Sequence, residues 1–250
     1  TDTLRMARLT DGPPVVLRTA AIRFTSTRQV AQLNDSIWLL TGSHYTLTYV
    51  ARDTSVSMIT NVASESPYRV FMSPRGDRTT LGTLVNGVEG GIPVFDNATG
   101  TLAYRLPFAA VYAAAFSPDG ATLYVGGGRY VTDSLVAVDA TTGAVLAGPV
   151  KLPDDFLATA IAYRTTDNQL LVGATSGANS IRTTLYLLVY RANTLELLGV
   201  LPSAYECGEF GAKAECFDGA ITVHDAADRA YLVNTGSPIR IMTFDLLGNP

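Results

Sequence analysis

Two short motifs recur along the chain at nearly the same spacing. Ser73–Gly76 (SPRG) matches Ser117–Gly120 (SPDG) at a shift of 44 residues, and the pentapeptide DNATG at Asp96 matches DATTG at Asp139 at a shift of 43 residues. Weaker copies start at Asn34, Asp167 and Asp228. Because a fixed period of about 40 to 50 residues indicates one repeated supersecondary unit, these copies predict five units.

The clearest unit runs from Val111 to Leu152 and predicts four short strands. Pro118 presets its backbone for a tight turn and Gly120 takes the positive φ that such a turn requires. Two further turn segments, one rich in Gly and one reading DATTG, separate the remaining apolar runs. Four strands joined by three turns form an antiparallel sheet, which needs neighbouring sheets to bury both of its faces.

The pattern SPDG, LYVGG, VAVDATTG and Val in this unit resembles the YVTN family of β-propeller repeats. The repeats are also WD40-like in appearance, although the Trp-Asp and Gly-His signatures are missing. The resemblance to the YVTN family is clear over residues 68–152. It implies an all-β chain, a single β-propeller domain over residues 1–250 with five four-stranded blades. The expected blades cover about 15–62, 68–106, 111–152, 157–201 and 219–245.

The last of these units has three strand-like segments, while the N-terminus has one to spare. Thr3–Leu9 reads like Thr101–Leu106, the fourth strand of the second unit. We therefore predict that residues 3–9 complete the last blade, which closes the ring and removes two exposed sheet edges. The alternative is a longer chain of six to eight blades, of which this sequence is a part.

The composition of the chain limits the classes of partner that we expect it to bind. The formal net charge is −4, the 18 basic residues are scattered, and only 16% of residues are charged. Binding to nucleic acid or to anionic lipid requires clustered Lys and Arg, so neither partner is expected. No apolar run reaches the 18 residues that suggest a membrane-spanning helix. The expected partner is therefore a protein in a larger assembly or a glycan.

Cys207 and Cys216 lie nine positions apart in one loop. We expect them to form a disulfide, which indicates an oxidising compartment, either periplasmic or extracellular; two free thiols in a cytosolic protein are the alternative. The chain begins at Thr1 without an initiator Met, which suits a mature exported product or the ordered part of a longer, tethered protein. Neither a cofactor nor a metal is predicted, since His224 alone cannot complete a metal site with these cysteines.

In such a sheet the first and third turns share one face of the disc, while the second turns and the connections between sheets share the other. The connections on this second face are long and varied, and binding residues concentrate in such loops. The predicted binding residues there are Arg129, Tyr130, Asp154, Asp155, Phe156, Tyr205, Glu206, Glu209 and Phe210. The loop 202–218 that carries the last four is alternatively a cover for the central channel.

No catalytic residue is predicted, and the function expected is a non-enzymatic protein-binding scaffold. A carbohydrate-binding propeller, in which exposed aromatic rings stack on sugars, is one alternative. A five-bladed glycosidase, which needs two carboxyl groups about 5 to 10 Å apart, is another. Its candidate acids are Glu89, Asp133, Asp154, Asp155, Glu206, Glu209 and Asp218. Asp96, Asp139 and Asp245 occupy repeat turns and are expected to be structural, as is His224.

Overall fold

The computed structural model of the chain describes a series of strands and the short turns between them. It covers residues 2–8, 15–22, 27–34, 37–42, 46–50, 56–58, 67–83, 91–106, 108, 111, 113–127, 134–153, 156–175, 183–207, 219–234 and 240–246. Side chains are described for Ile37 and for most of these residues from 69 onward. In these ranges the secondary structure is almost entirely β, with one short 3-10 turn at Asp225–Ala227.

The strands form six antiparallel sheets. An N-terminal pair contains β1 (Asp2–Arg8) and β2 (Val15–Ile22). Sheet 1 contains β3 (Thr27–Asn34), β4 (Ile37–Gly42), β5 (Thr46–Val50) and β6 (Val56–Met58). Sheet 2 contains β7 (Pro67–Met72), β8 (Arg78–Thr83), β9 (Ile92–Asp96) and β10 (Thr101–Leu106). Sheet 3 contains β11 (Ala113–Phe116), β12 (Thr122–Gly126), β13 (Ser134–Asp139) and β14 (Val145–Lys151).

Two more sheets follow in the same order. Sheet 4 contains β15 (Leu157–Arg164), β16 (Gln169–Thr175), β17 (Thr183–Arg191) and β18 (Leu197–Cys207). Sheet 5 contains β19 (Gly219–His224), β20 (Arg229–Asn234) and β21 (Arg240–Asp245). Every strand pairs with its neighbours in sequence, so each sheet is one continuous stretch of chain. This is the four-stranded antiparallel unit that the repeated turns predict.

One backbone hydrogen bond recurs in sheets 2 to 5 and ties the end of the third strand to the first turn. The donors are the amide groups of Asn97, Ala140, Ala192 and Leu246, and the acceptors are the carbonyl groups of Asp77, Ala121, Asn168 and Asp228, in that order. The donor–acceptor distances lie between 2.7 and 3.0 Å. The bond needs no particular side chain, which explains why the fold repeats more regularly than the sequence does.

Neighbouring sheets bury each other's faces. In β16 the alternation of strand side chains sends Leu170 and Val172 into the core shared with sheet 3, and sends Leu171 into the core shared with sheet 5. A third core lies between sheets 2 and 3, and Ile37 of sheet 1 packs with Leu81 and Phe95 of sheet 2. The first strands of consecutive sheets, β3, β7, β11, β15 and β19, also contact one another in sequence.

The N-terminal segment pairs differently from the sequence-based prediction. β1, expected beside β21, instead pairs with β2 along its whole length, from Asp2 opposite Ile22 to Arg8 opposite Val15. Only six residues separate these two strands, and closing a short loop costs less entropy than bringing together segments more than two hundred residues apart. The first strand of sheet 1 is therefore β3, where Arg28, Gln29 and Gln32 obscured the strand pattern.

Among the described residues, no helix combines the length and the apolar character that crossing a membrane requires.

Alanine substitutions at two glycines, one at the contact between sheets 3 and 4 and one away from it, test how closely these sheets approach each other. A Cβ built at Gly126 in β12 meets the Cβ of Ala158 at 2.6 Å, whereas one built at Gly199 in β18 has nothing within 4 Å. We expect Gly126→Ala to lower the free energy of unfolding by about 1 to 3 kcal/mol through overpacking. Gly199→Ala should change it by no more than about 1 kcal/mol. Urea unfolding of both variants measures the difference, and equal effects would contradict this packing.

Candidate functional site

The described turns gather at one end of the sheets, which we call the turn face (residues 73–77, 97–100, 117–121, 140–144, 165–168, 192–196 and 225–228). Contacts between sheets place these turns side by side. Tyr104 in sheet 2 donates its hydroxyl to the carbonyl oxygen of Ala140 in sheet 3 at 2.8 Å. Thr165 in sheet 4 donates to Asp225 in sheet 5, also at 2.8 Å. Hydrogen bonds thus join the turns of sheet 2 to those of sheet 3, and the turns of sheet 4 to those of sheet 5.

Most of the predicted binding residues lie outside the described residues. Arg129, Tyr130, Asp154, Asp155, Glu209 and Phe210 are in this group. Tyr205 and Glu206 are placed by their backbone near the end of β18, and their side chains are not described. Cys207 ends the same strand and Cys216 lies outside the described residues. The disulfide and the binding role of these residues stay predictions.

Phe156 is the one predicted contact residue whose side chain is described, and it is buried. Only 4% of its surface is exposed, and its ring stacks on Tyr186 with 4.5 Å between the ring centroids. The ring belongs to the core between sheets 3 and 4. The predicted role of Phe156 as an exposed contact residue is therefore corrected, because an apolar ring directly before β15 gains more by packing between two sheets than by facing water.

The strongest charge cluster on the turn face surrounds Arg164, at the end of β15. Its side chain is 6% exposed, and its guanidinium group contacts the carboxylates of Asp167, Asp225 and Asp228. Asp167 lies 3.0 Å away in the same sheet, while Asp225 (3.8 Å) and Asp228 belong to sheet 5. Asp228 also accepts a direct hydrogen bond from the guanidinium group. We call these four residues the Arg164 cluster.

The geometry of the Arg164 cluster makes it a link between sheets. A buried guanidinium group must be paired, because removing one partner leaves an uncompensated charge in a poorly solvated site. Two of its three carboxylates come from the next sheet, so the pairing exists only while sheets 4 and 5 are packed together. Sequence analysis missed Arg164 as a site residue, although a single Arg at the end of the apolar segment LATAIAY was a usable signal.

The acidic residues of the repeat turns are engaged within their own turns. Asp139 accepts hydrogen bonds from the backbone amides of Thr141 and Thr142 at 2.9 and 2.8 Å. Asp96 binds the amide of Thr99 and the guanidinium group of Arg78. The backbone amide of Thr142 holds the pKa of Asp139 below its usual value, and that of Thr99 does the same for the pKa of Asp96.

His224 also has a structural contact. Its Nδ1 accepts a hydrogen bond from the backbone amide of Ala227 at 3.1 Å, and it thereby caps the 3-10 turn. Ser117 has the equivalent place in sheet 3, where its hydroxyl accepts from the amide of Thr122. The described atoms of both residues are therefore used to close turns. Within the described ranges, no three His, Cys, Asp or Glu side chains are arranged to hold a metal ion.

The side chain of Arg69 links two sheets that are not neighbours in sequence. Arg69 of β7 donates a hydrogen bond to the carbonyl oxygen of Thr159 in β15, at 2.6 Å. A register shift between Ala158 and Ala160 takes Thr159 out of the regular ladder of β15, and a displaced residue of this kind can present its carbonyl elsewhere. This bond links sheets 2 and 4 past the first strand of sheet 3.

The outer strands carry a different kind of surface. In β14, Val145 and Leu146 are 54% and 58% exposed, and in β18, Leu197 and Val200 are each 40% exposed. A Cβ built at Gly148 in β14 meets the side chain of Leu195, in the turn that precedes β18, at 3.1 Å. From Ala140 to Val150 the chain has no charged residue. We call Val145, Leu146, Leu197 and Val200 the apolar rim.

Comparison with known proteins bears on the fold. No family model matches the chain, and no curated protein matches it by sequence. Among solved structures, the chain is similar to the beta-propeller domain of Cps50 (Swd1) from Myceliophteria thermophila. The TM-score is 0.60 at 11% sequence identity, and the match covers 92% of this chain and 73% of that one. The sheets are thus arranged as in a β-propeller, and at this identity the likeness concerns the fold alone.

The Arg164 cluster is tested against an exposed ion pair of the same chain. Arg164→Met should lower the free energy of unfolding by about 1 to 3 kcal/mol, because three partly exposed carboxylates lose the charge they surround. Arg191→Met removes the exposed Arg191–Glu196 pair, and it should cost about 0 to 1 kcal/mol. Chemical unfolding at neutral pH measures both, and a small effect at Arg164 would contradict its role as a link.

Acidification tests the turn carboxylates. Since the pKa of Asp139 is lower in the folded chain than its usual value of 3.8, the stability it contributes is present above that value and is lost as the pH falls through the lowered pKa. Asp139→Asn keeps an acceptor oxygen for the turn but does not titrate. We expect the variant to lose less stability than the parent between pH 5 and pH 2, measured by urea unfolding. Parallel stability curves would exclude this contribution.

Proposed function

We propose that this chain is a non-enzymatic, protein-binding β-propeller, exported to the periplasm or the extracellular space as an accessory or structural subunit of a larger assembly. The observation that carries the proposal is the apolar rim. Soluble proteins usually protect outer strands with charged side chains, and exposed apolar patches mark interaction surfaces. The outer strands of sheets 3 and 4 instead present Val, Leu and Pro side chains to solvent.

The side chains of the turn face favour a rigid surface. Polar side chains on the turn face bind neighbouring turns and sheets: Arg164 pairs with carboxylates, and Asp96, Asp139 and His224 close their own turns. Such groups are already committed to internal bonds, so they stiffen the surface. A stiff surface binds a partner with a small loss of conformational entropy.

The compartment is proposed from the cysteines. β18 places the backbone of Cys207 opposite Thr183 at the end of sheet 4, and β19 begins at Gly219 in sheet 5. Residues 208–218 therefore join two neighbouring sheets, and a Cys207–Cys216 disulfide would brace this connection beside Tyr205 and Glu206. The predicted contact residues Arg129, Tyr130, Asp154, Asp155, Glu209 and Phe210 extend the proposed binding surface on the long-loop face.

The proposal is tested by the native mass of the protein isolated gently from its source. We expect migration well above the chain mass of 26.5 kDa, and partial or complete release of the partner by Leu146→Lys, because a buried charge opposes an apolar interface. Thr141→Lys is the matched control, since Thr141 is exposed in the adjacent turn.

The proposed disulfide is tested on the same material. Alkylation without reduction should leave Cys207 and Cys216 unmodified.

The substitutions also distinguish the apolar rim from the long-loop face as the binding surface. If Tyr205→Ala combined with Phe210→Ala releases the partner and Leu146→Lys does not, the interface is the long-loop face and the apolar rim is not involved. A free monomer of the parent protein would reject the assembly role altogether.

A further inference from the structure

The outer strand of sheet 4 has an open space beside Gly199. A Cβ built at this glycine meets none of the described atoms within 4 Å, its own chain neighbours apart. Gly199 is partly exposed and lies between Leu197 and Val200, which belong to the apolar rim. We call the space beside Gly199 the rim notch.

Strand pairing shows on which face of sheet 4 the rim notch lies. Gly199 is opposite Val189 in β17, and Leu201 is opposite Leu187. Residues directly opposite each other in an antiparallel pair project to the same face of the sheet. Since Val189 and Leu187 belong to the core shared with sheet 5, a side chain at position 199 would project toward sheet 5, at the outer margin of that core.

The repeat places Tyr104 of sheet 2 where sheet 4 has Gly199. Asp96 ends the third strand of sheet 2, and Arg191 ends the third strand of sheet 4. Tyr104 and Gly199 each lie eight residues beyond these strand ends. Tyr104 is paired with Val94, a residue of the core shared with sheet 3. Both positions therefore face the next sheet along the chain.

The equivalent place is filled at the two preceding contacts between sheets. The ring of Tyr104 lies against the third turn of sheet 3, where a Cβ built at Gly143 meets it at 2.8 Å, and its hydroxyl donates to the carbonyl oxygen of Ala140. Between sheets 3 and 4 the strand has Ala147 at this place, and Leu195 from the turn of sheet 4 packs in the same core. A large side chain thus covers this margin in both cases.

We infer that the rim notch binds a tyrosine side chain of the partner protein, with its ring over Gly199 and its hydroxyl donating to the carbonyl oxygen of Leu246. Leu246 has the place of Ala140, because the amides of both residues donate the hydrogen bond that recurs in each sheet. The inference rests on the proposed protein-binding function and specifies one contact within it.

The notch is continuous with the surface that the partner is proposed to cover. Leu197 and Val200, each 40% exposed, flank Gly199 on the same strand, so a partner that covers them also covers the notch. Tyrosine suits such a site because its ring is apolar, its hydroxyl needs a hydrogen-bond acceptor, and few torsions are fixed when it binds. Tyr104 shows that this chain already accommodates the same side chain at the equivalent place.

The test uses the full chain and N-acetyl-L-tyrosinamide as the probe, followed by the NMR shifts of the methyl groups of Leu201 and Leu246. We expect saturable shifts with a dissociation constant on the order of 1 mM, as for other small fragments. N-acetyl-L-phenylalaninamide should bind roughly five-fold more weakly, because it lacks the hydroxyl that donates to the carbonyl oxygen.

Two substitutions at the same position separate a filled notch from an open one. The φ angle of Gly199 lies outside the left-handed region, so other residues can adopt this backbone conformation. Gly199→Tyr supplies the ring from the chain itself and should abolish binding of the probe, whereas Gly199→Ala should retain it. In the assembly isolated from its source, Gly199→Tyr should release the partner and Gly199→Ala should not.

Tyr104→Gly tests the same geometry between sheets 2 and 3 and does not depend on the folding of Gly199→Tyr. Removal of the ring opens a second notch, with the carbonyl oxygen of Ala140 as its acceptor. This variant should bind a second molecule of N-acetyl-L-tyrosinamide. The probe should also raise its unfolding temperature more than that of the parent, because it binds an additional site in the folded chain.

Four results would overturn the inference. They are the absence of saturable shifts in the parent, undiminished binding of the probe by Gly199→Tyr, equal affinities for the tyrosine and phenylalanine probes, and an assembly that Gly199→Tyr leaves intact. If Leu146→Lys still releases the partner in these cases, the proposed function stands without the rim notch. If the parent is a free monomer, the proposed function fails together with this contact.

Discussion

The structure depends on the fact that each of these sheets has two apolar faces and cannot bury them alone. β16 shows the constraint directly, because Leu170 and Val172 enter one core and Leu171 the other. A strand of this kind is stable only between two neighbours. The stacking of sheets, the contact between successive first strands and the side-by-side turns all follow from this requirement.

Much of the fold could be predicted because turn chemistry is local. Pro118, Gly120 and Asp139 act on the few residues around them, so their spacing located the strands of sheet 3 and its copies without knowledge of distant contacts. In the degenerate first unit, where these turn residues are absent, the first strand was misplaced. β3 has a weak apolar pattern, and β1 had two candidate partners, β2 and β21, of which it pairs with β2.

The candidate site could be predicted less well, for two physical reasons. The environment of a side chain depends on the neighbouring sheet, so Phe156 was expected at the surface and is instead stacked on Tyr186 in a core. The partners of Arg164 lie as many as 64 residues away in sequence. Exposure of Val145 and Leu146 likewise depends on which strand is outermost, a property of the sheet and not of the segment.

The continuity of each sheet along the chain also determines how the molecule comes apart. Because every strand pairs with a sequence neighbour, one sheet can detach without breaking strand pairing in any other, and cooperative openings of this type occur below the cost of global unfolding. Within the described residues, sheet 5 packs one face against sheet 4 and leaves Ile241 exposed on the other, so we expect opening to begin there. Proteases that cleave transiently opened chains would attack there first, and the lifetime of the protein would then depend on how much of that sheet is covered.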